Sequence, residues 1–384
     1  MKALLFERKI AKYAAAAVAG RFSPGRGAAV GPLSLTDIDE PDLPGEGWVR
    51  VRPRLSGICG SDLATIDGHS SRYFEPIVSF PFVPGHEVVG ELDDGSRVAL
   101  VPILTCTVRG MDPMCPQCSA GRPNRCERIA FPGHNHLEPG LQTGFCESTG
   151  GGWSLAFVAH ESQLVAVPDS LTDEQAVLIE PTACAVHAAR SITSGDVAII
   201  GAGTLGLLTV AALRSIGHVD SIVVAAKHPA QRELARELGA SHVVAPNELA
   251  RAVRARTRSM VIGDQLTNGA STVVDCVGSD DSLTQALSVV APGGDVVLLG
   301  MPGGHSTIDL TSLWHRESAL RGCYAYTPDD FTAATALVAG ADLGRLVSAT
   351  YPLARYRDAI DHAANAGRRG SVKIAFDLRN ERGR

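Results

Sequence analysis

The sequence predicts an α/β chain with a β-rich first part, an inserted doubly wound parallel sheet and a return to the first part. Three observations carry this. Short β-prone runs broken by Gly and Pro fill the first third. From about residue 187, apolar strand-like runs alternate with helix-like periodicity, the pattern of parallel βαβ units. After about Tyr326 the alternation fades. The expected divisions are 1–186, 187–325 and 326–384.

In the first part, Trp48–Arg52, the pair Val88-Val89 and Arg97–Val101 read as strands of an irregular, mainly antiparallel structure. Met1–Gly20 superficially resembles a signal peptide, but Glu7, Arg8, Lys9 and Lys12 break up its apolar character. It reads as an exposed early strand and loop. The Gly/Pro/His-rich stretch from Cys126 to Trp153 is too long for a simple connector and is expected to carry function or an unusual lobe. In the second part the strands are Asp196–Ile200, Ser221–Ala225, Ser271–Cys276 and Asp295–Leu299. Helices follow Gly206, span Gln231–Leu238 and lie near Ser282–Val290.

Composition excludes several classes. The chain has 384 residues, 45% hydrophobic and 20% charged, which is globular and not disordered. Length alone suggests two or three domains at about 150 residues each. A net charge of -6 with no long basic block disfavours nucleic acid as a partner. No apolar run reaches the ~18 residues of a membrane span. Nine cysteines, three of them at metal-ligand spacing, suit a reducing, cytoplasmic setting better than a disulfide framework.

Gly201-Ala-Gly203-Thr204-Leu205-Gly206 follows a strand and opens a helix, the context a dinucleotide needs. Gly201 makes the turn, Gly203 admits a pyrophosphate, and Gly206 lets helix and strand pack closely. This is the Rossmann arrangement. An NAD site usually places a carboxylate at the end of the second strand, for the ribose 2′-OH. Here that strand ends Ala225-Ala226-Lys227-His228, with no carboxylate. Lys227 offers a cation, His228 an N–H, and Arg232 a further charge if its helix turns it inward, so NADP(H) is expected over NAD(H). A solvated Lys227 is the plain alternative. Val277, Leu299 and Met301, at the ends of later strands, complete the expected cofactor contacts.

Cys115-Pro-Gln-Cys118 and Cys126 supply three close thiols. Zinc prefers four tetrahedral ligands, and a closed site of this kind braces structure and does no chemistry. The fourth ligand is Cys106 or, alternatively, Asp112. Three further stretches are ambiguous singly: Gly57-Ile-Cys59-Gly-Ser61-Asp62, Pro84-Gly-His86-Glu87, and Ile179-Glu180-Pro181 before a helix near Thr182. Alone, Cys59 reads as a small hydrophobe, His86 as a satisfied core histidine and Glu180 as a residue beside a helix cap.

In combination these motifs resemble the zinc-dependent medium-chain dehydrogenase/reductase family, in its alcohol and polyol branch. Glu180-Pro181 with Ala185-Val-His-Ala188 looks like the form found in sorbitol- and threonine-dehydrogenase-like members, and the resemblance covers nearly the whole chain. It implies a GroES-like catalytic domain with an inserted Rossmann domain. Cys59, His86 and Glu180 would bind catalytic zinc, with Glu87 against the same metal, able to exchange with a water or with Glu180. Ser61 matches the hydroxyl that takes the substrate proton. Homodimers or homotetramers are implied.

Three features depart from the family pattern. The structural-zinc motif is displaced by an insertion from Thr107 to Met114, leaving Asp112 where a Cys is expected. The relay His is Ala64 here, with His69 or solvent in its place. The stretch from Cys126 to Trp153 is longer than usual. The expected activity is hydride transfer between NADP(H) and an alcohol or polyol, or the corresponding carbonyl. The alternatives are reduction of an activated C=C or C=N bond with structural zinc only, and a non-catalytic dinucleotide sensor.

Overall fold

A computed structural model describes residues 1–263 and 265–381. The first ladder, β1 (Lys2–Phe6) and β2 (Leu33–Asp37), is antiparallel, with Phe6 opposite Leu33. Between these paired residues lie two helices, α1 (Ile10–Phe22) and α2 (Gly27–Val30). This corrects the expected loop, and β1 is largely buried. The run Ala14–Ala17 is a strong helix former. Its small residues let α1 sit tightly against residues 67 and 68, where a Cβ on Gly68 would lie 2.8 Å from that of Ala17.

β3 (Trp48–Gly57) is the long central strand of the first sheet. It leads into α3 (Gly60–Ile66) and pairs antiparallel with β4 (Val88–Glu91), which pairs with β5 (Arg97–Leu100). A small lobe follows, with α4 (Pro116–Ser119) as its one helix. β6 (Phe157–His160) then returns to β3, and β7 (Leu164–Ala166) pairs with β5. The mainly antiparallel first part is as expected.

α5 (Asp173–Ala176) and α6 (Ile179–Arg190) follow. The buried Asp173 carboxylate ties α5 to Arg54 of β3, Arg97 of β5 and Arg379 near the C-terminus. α6 begins at Ile179 and not near Thr182, so Glu180 lies inside its first turn, and the helix runs through residue 187.

The second sheet is built from β8 (Asp196–Ile200), α7 (Thr204–Ile216), β9 (Ser221–Ala225), α8 (Pro229–Glu237), β10 (His242–Val244) and α9 (Leu249–Thr257). A minimal hairpin, β11 (Val261–Ile262) and β12 (Gln265–Leu266), leads to β13 (Ala270–Asp275), α10 (Asp280–Val289), β14 (Val290–Leu298), α11 (Thr311–His315) and β15 (Ala319–Gly322). The six strands are all parallel, in the order β10-β9-β8-β13-β14-β15. Strand order reverses between β8 and β13, so ligands are expected at the C-terminal ends of these strands.

The last segment contains α12 (Pro328–Gly340), β16 (Val347–Tyr351), α13 (Tyr356–Ala364) and β17 (Lys373–Asp377). The alternation therefore persists beyond Tyr326, contrary to expectation. β16 and β17 pair in parallel, but β17 joins the first sheet antiparallel to β3. Two long-range consequences follow. α12 lies against α6, and β17 carries Lys373 to the end of β3.

Candidate active site

The register of β3 and β4 brings the first two motifs together. Ser56 stands opposite Val88, so the exit of β3 lies beside the entry of β4. Gly57 N–H donates to Glu87 O at 2.8 Å. A Cβ on Gly57 would lie 2.1 Å from Glu87 Oε2, so the close approach requires glycine there. The Pro84–Glu87 turn is held from its other side by the glycine run at 150–152. Gly152 N–H donates to Gly85 O at 2.8 Å and Trp153 N–H to Pro84 O at 2.9 Å. The late part of the long 126–153 stretch thus buttresses the His86 turn.

The result is a cluster of Cys59 Sγ, a His86 ring nitrogen and a Glu87 carboxylate oxygen, all within 4.8 Å of one another. Asp62, buried and conspicuous in the sequence only as the end of a motif, lies beside two of the three. Its Oδ2 accepts from Cys59 N–H at 2.9 Å, and its Oδ1 lies 3.5 Å from His86 Nδ1. At that spacing neither Asp62 Oδ1 nor His86 Nδ1 has a hydrogen-bond partner among the described residues. Burial pushes the His86 pKa down, but the charges of Asp62 and Cys59 outweigh it and hold it well above its ordinary value.

Glu180 is not part of that tight cluster. It reaches the same region from α6, beside the hydroxyl of Tyr326 and with Cys184 Sγ 4.0 Å from its Oε1. Burial pushes its carboxyl up to about 7, helped by Glu87 and opposed by His86, Tyr326 and Lys373. Sequence reading missed Lys373. This fully buried lysine is ion-paired with Glu87 and donates to Ile58 O at 3.1 Å. No local signal marks it, because 286 residues separate it from its carboxylate partner. A thiolate, an imidazole and two carboxylates are a donor set that fits zinc. Ser61 sits at the second position of α3. His69 is exposed, and no hydrogen bond joins it to Ser61 among the described residues.

The small lobe gathers Cys106, Cys115, Cys118 and Cys126, their sulfurs all within 4.8 Å of one another, and Asp112 is not in the group. Cys106 Sγ lies 3.7 Å from Cys126 Sγ. Burial raises the Cys115 thiol, but backbone N–H groups of Cys118 and Glu127 hold it at about 7. Four thiols so disposed fit a closed zinc site.

At the second sheet, Gly201 takes a φ of +92°, and a Cβ on Gly206 would lie 1.9 Å from Gly201 O. Gly203 caps α7 with open space above it, and Thr204 and Leu205 form the first turn. Val277, Leu299 and Met301 follow β13 and β14 at the same sheet edge. The buried Asp275, also missed, accepts from the N–H groups of Val277 and Gly278 at 2.8 and 3.1 Å and from Ser282 Oγ at 2.8 Å, fixing that loop. Lys227, His228 and Arg232 lie beyond the end of β9.

A dinucleotide-type sheet beside a buried Cys–His–Glu cluster defines a class, the metal-dependent dehydrogenases. Residues 45–169 match the alcohol dehydrogenase GroES-like domain, and residues 204–340 match the zinc-binding dehydrogenase family. L-galactonate-5-dehydrogenase of Escherichia coli K12 is 28% identical over 316 residues, covering 77% of this chain and 82% of that protein. Sorbitol dehydrogenase of Bacillus subtilis 168 is 28% identical over 347 residues, covering 86% and 90%. A Sinorhizobium meliloti 1021 protein described as a zinc-binding dehydrogenase, solved bound to NADP, superimposes with a TM-score of 0.71. It is 26% identical, with 90% of this chain and 96% of that chain covered. The chain belongs to the zinc-dependent medium-chain dehydrogenase/reductase family, and its chemistry is the zinc-dependent oxidoreduction of alcohols with a nicotinamide cofactor. Among the described residues, no helix is long and apolar enough to cross a membrane.

Proposed function

We propose that this enzyme transfers hydride between NADP(H) and a small alcohol or polyol, or the corresponding aldehyde or ketone. The Cys59–His86–Glu87 cluster, with Glu180 beside it, carries the reading, because reduction of a C=C or C=N bond needs no such donor set. When bound, zinc supplies Lewis acidity at the substrate oxygen and the nicotinamide exchanges hydride at the carbon.

The chain's own groups do the rest. Cys59, His86 and Glu180 hold the metal, and Glu87, kept in its ion pair by Lys373, stands as an exchangeable neighbour. Asp62, 3.5 Å from His86 Nδ1, stands where it could orient the ring of a metal-bound His86. Ser61 takes the hydroxyl proton of the substrate and passes it toward solvent. Cys106, Cys115, Cys118 and Cys126 hold a second, structural zinc. Gly201, Gly203, Thr204, Leu205 and Gly206 seat the pyrophosphate at the α7 N-terminus, where free N–H groups and the helix dipole favour an anion. Val277, Leu299 and Met301 line the rest of the dinucleotide path.

The same reading divides the chain into 1–186, 187–325 and 326–384, supported by the membership of the two sheets. It places the enzyme in the cytoplasm as a homodimer or homotetramer. The exposed edge strand β15 with exposed Leu310 and Trp314 nearby supports assembly.

For cofactor choice, the support is the end of β9, where no carboxylate follows Ala225 and Lys227 is exposed. A charge-assisted bond to phosphate is worth roughly 1.5–3 kcal/mol, about ten- to a hundredfold in preference. The test is kcat/KM for NADP and NAD over a panel of alcohols, sugars and aldehydes. Wild type is expected to favour NADP, and Lys227→Asp to reverse the ratio by removing attraction and adding repulsion. A wild type that prefers NAD, or an unchanged ratio in the variant, contradicts the NADP reading.

A further inference from the structure

The loop before β17 does not stay with the first sheet. Residues 366–370 press on the tip of β9 and the start of α8. A Cβ on Gly367 would lie 2.3 Å from His228 Cδ2 and 3.0 Å from Gln231 Nε2, and one on Gly370 would lie 3.7 Å from Ala230 Cβ. Any side chain at residue 367 would push the His228 ring aside, so glycine lets the loop come this close. Its next residue, Arg368, is exposed and, like Lys227, lies close enough to act on the His228 ring.

The charges at this junction are of one sign. His228, at the contact, feels Lys227, Arg368 and Arg232 as its charged neighbours, and burial first and then these cations lower its pKa, so the ring is neutral at pH 7. Arg369 is neutralised by its ion pair with Asp361. Lys227, Arg232 and Arg368 make no ion pair or side-chain hydrogen bond among the described residues. Three like charges around one ring repel one another in the absence of an anion. Their position, beyond the carboxyl end of a parallel strand next to the glycine turn, is where the adenosine end of a dinucleotide lies. A phosphate monoester, carrying nearly two negative charges at neutral pH, is the anion that fits.

We propose that Arg368, brought across from the C-terminal segment, completes the pocket for the 2′-phosphate of NADP(H) together with Lys227 and Arg232. This rests on the NADP(H) reading above. It also gives β17 and its preceding loop a double role. Arg368 at the adenosine end is five positions before Lys373 at the catalytic cluster, so one short segment reaches toward both ends of the working cleft. The sequence gives no hint of this, because 141 positions separate Arg368 from Lys227.

The experiment measures dissociation constants of NADPH and NADH by fluorescence on wild type, Lys227→Ala, Arg368→Ala and Arg368→Lys, with 2′,5′-ADP and 5′-AMP as competitors. Arg368→Ala is expected to weaken NADPH and 2′,5′-ADP by about tenfold. NADH and 5′-AMP, which lack the 2′-phosphate, should stay within about twofold. Arg368→Lys should recover most of the loss. If Lys227→Ala weakens NADPH while Arg368→Ala leaves it unchanged, the NADP(H) reading stands and the role of Arg368 is overturned. If wild type binds NADH at least as tightly as NADPH and no variant alters the ratio, the NADP(H) reading itself fails and Arg368 with it.

Discussion

The four thiols of the small lobe sit in unlike settings although they share one cluster. Burial and neighbouring sulfurs push Cys126 up to about 11, whereas Cys115 is held at about 7 by backbone N–H groups. Cys115 therefore ionises more readily than Cys126, which a bound cation would draw into thiolate form. A closed tetrathiolate leaves no position for substrate. Cys118→Ser is accordingly expected to lose about 2 kcal/mol of stability, lowering Tm by roughly 2–3 °C, while turnover per folded molecule is largely kept. Differential scanning fluorimetry alongside kcat decides this; full stability with lost turnover would contradict a bracing role. The thiol group was legible because C-x2-C spacing is a local signal. The preference for Cys106 over Asp112 was legible too, because four thiolates are the commoner closed zinc site; how the 107–114 insertion folds back to bring Cys106 in was not. Asp62 stood in plain view inside a motif, but its place beside His86 depends on the pairing of β3 with β4.

Among the elements, α6 and α12 show how distant helices fix the site. Asp330 in the first turn of α12 accepts from its own cap, Thr327 N–H at 2.9 Å and Oγ at 2.7 Å. It also lies 2.7 Å from His187 Nδ1 and accepts from Arg190 Nη1 at 2.9 Å, both on α6. Burial alone would raise its carboxyl; the hydrogen bonds from His187 and Thr327 hold it down to about 2. A depressed carboxyl stabilises the fold fully above its ordinary value near 4 and loses that contribution as pH falls through about 2. Asp330→Asn is expected to cost about 2 kcal/mol at pH 7, in line with hydrogen bonds to a charged group. The gap from wild type in urea melts should narrow as pH drops from 5 toward 2. A pH-independent gap would show that shape, and not charge, is what Asp330 contributes. Strands β8, β9 and β13 were legible as elements from their short apolar runs. Helix α1 was missed because its Ala-rich run lacks amphipathic periodicity, and its burial is set by a contact with residues 67 and 68 more than 40 positions away.

At the scale of the molecule, the C-terminal segment is the hinge of the account. β17 pairs with β3, delivers Lys373 to Glu87, and is preceded by the loop that meets β9. The return to the first part was expected, but the meetings of Lys373 with Glu87 and of residue 367 with His228 are not legible from local pattern, whereas the two-part architecture is, because each part announces itself by its own periodicity. The central claim is that the Cys59–His86–Glu180 region binds a catalytic zinc distinct from the bracing one. The most direct test is zinc content, measured by atomic absorption together with turnover and NADPH affinity, on wild type and His86→Ala. Two clusters predict two zinc ions per chain in wild type. In His86→Ala they predict one zinc, abolished turnover and largely unchanged NADPH binding, since metal and dinucleotide sites stand on different sheets. Near-normal turnover in a His86→Ala enzyme that holds a single zinc would contradict the claim.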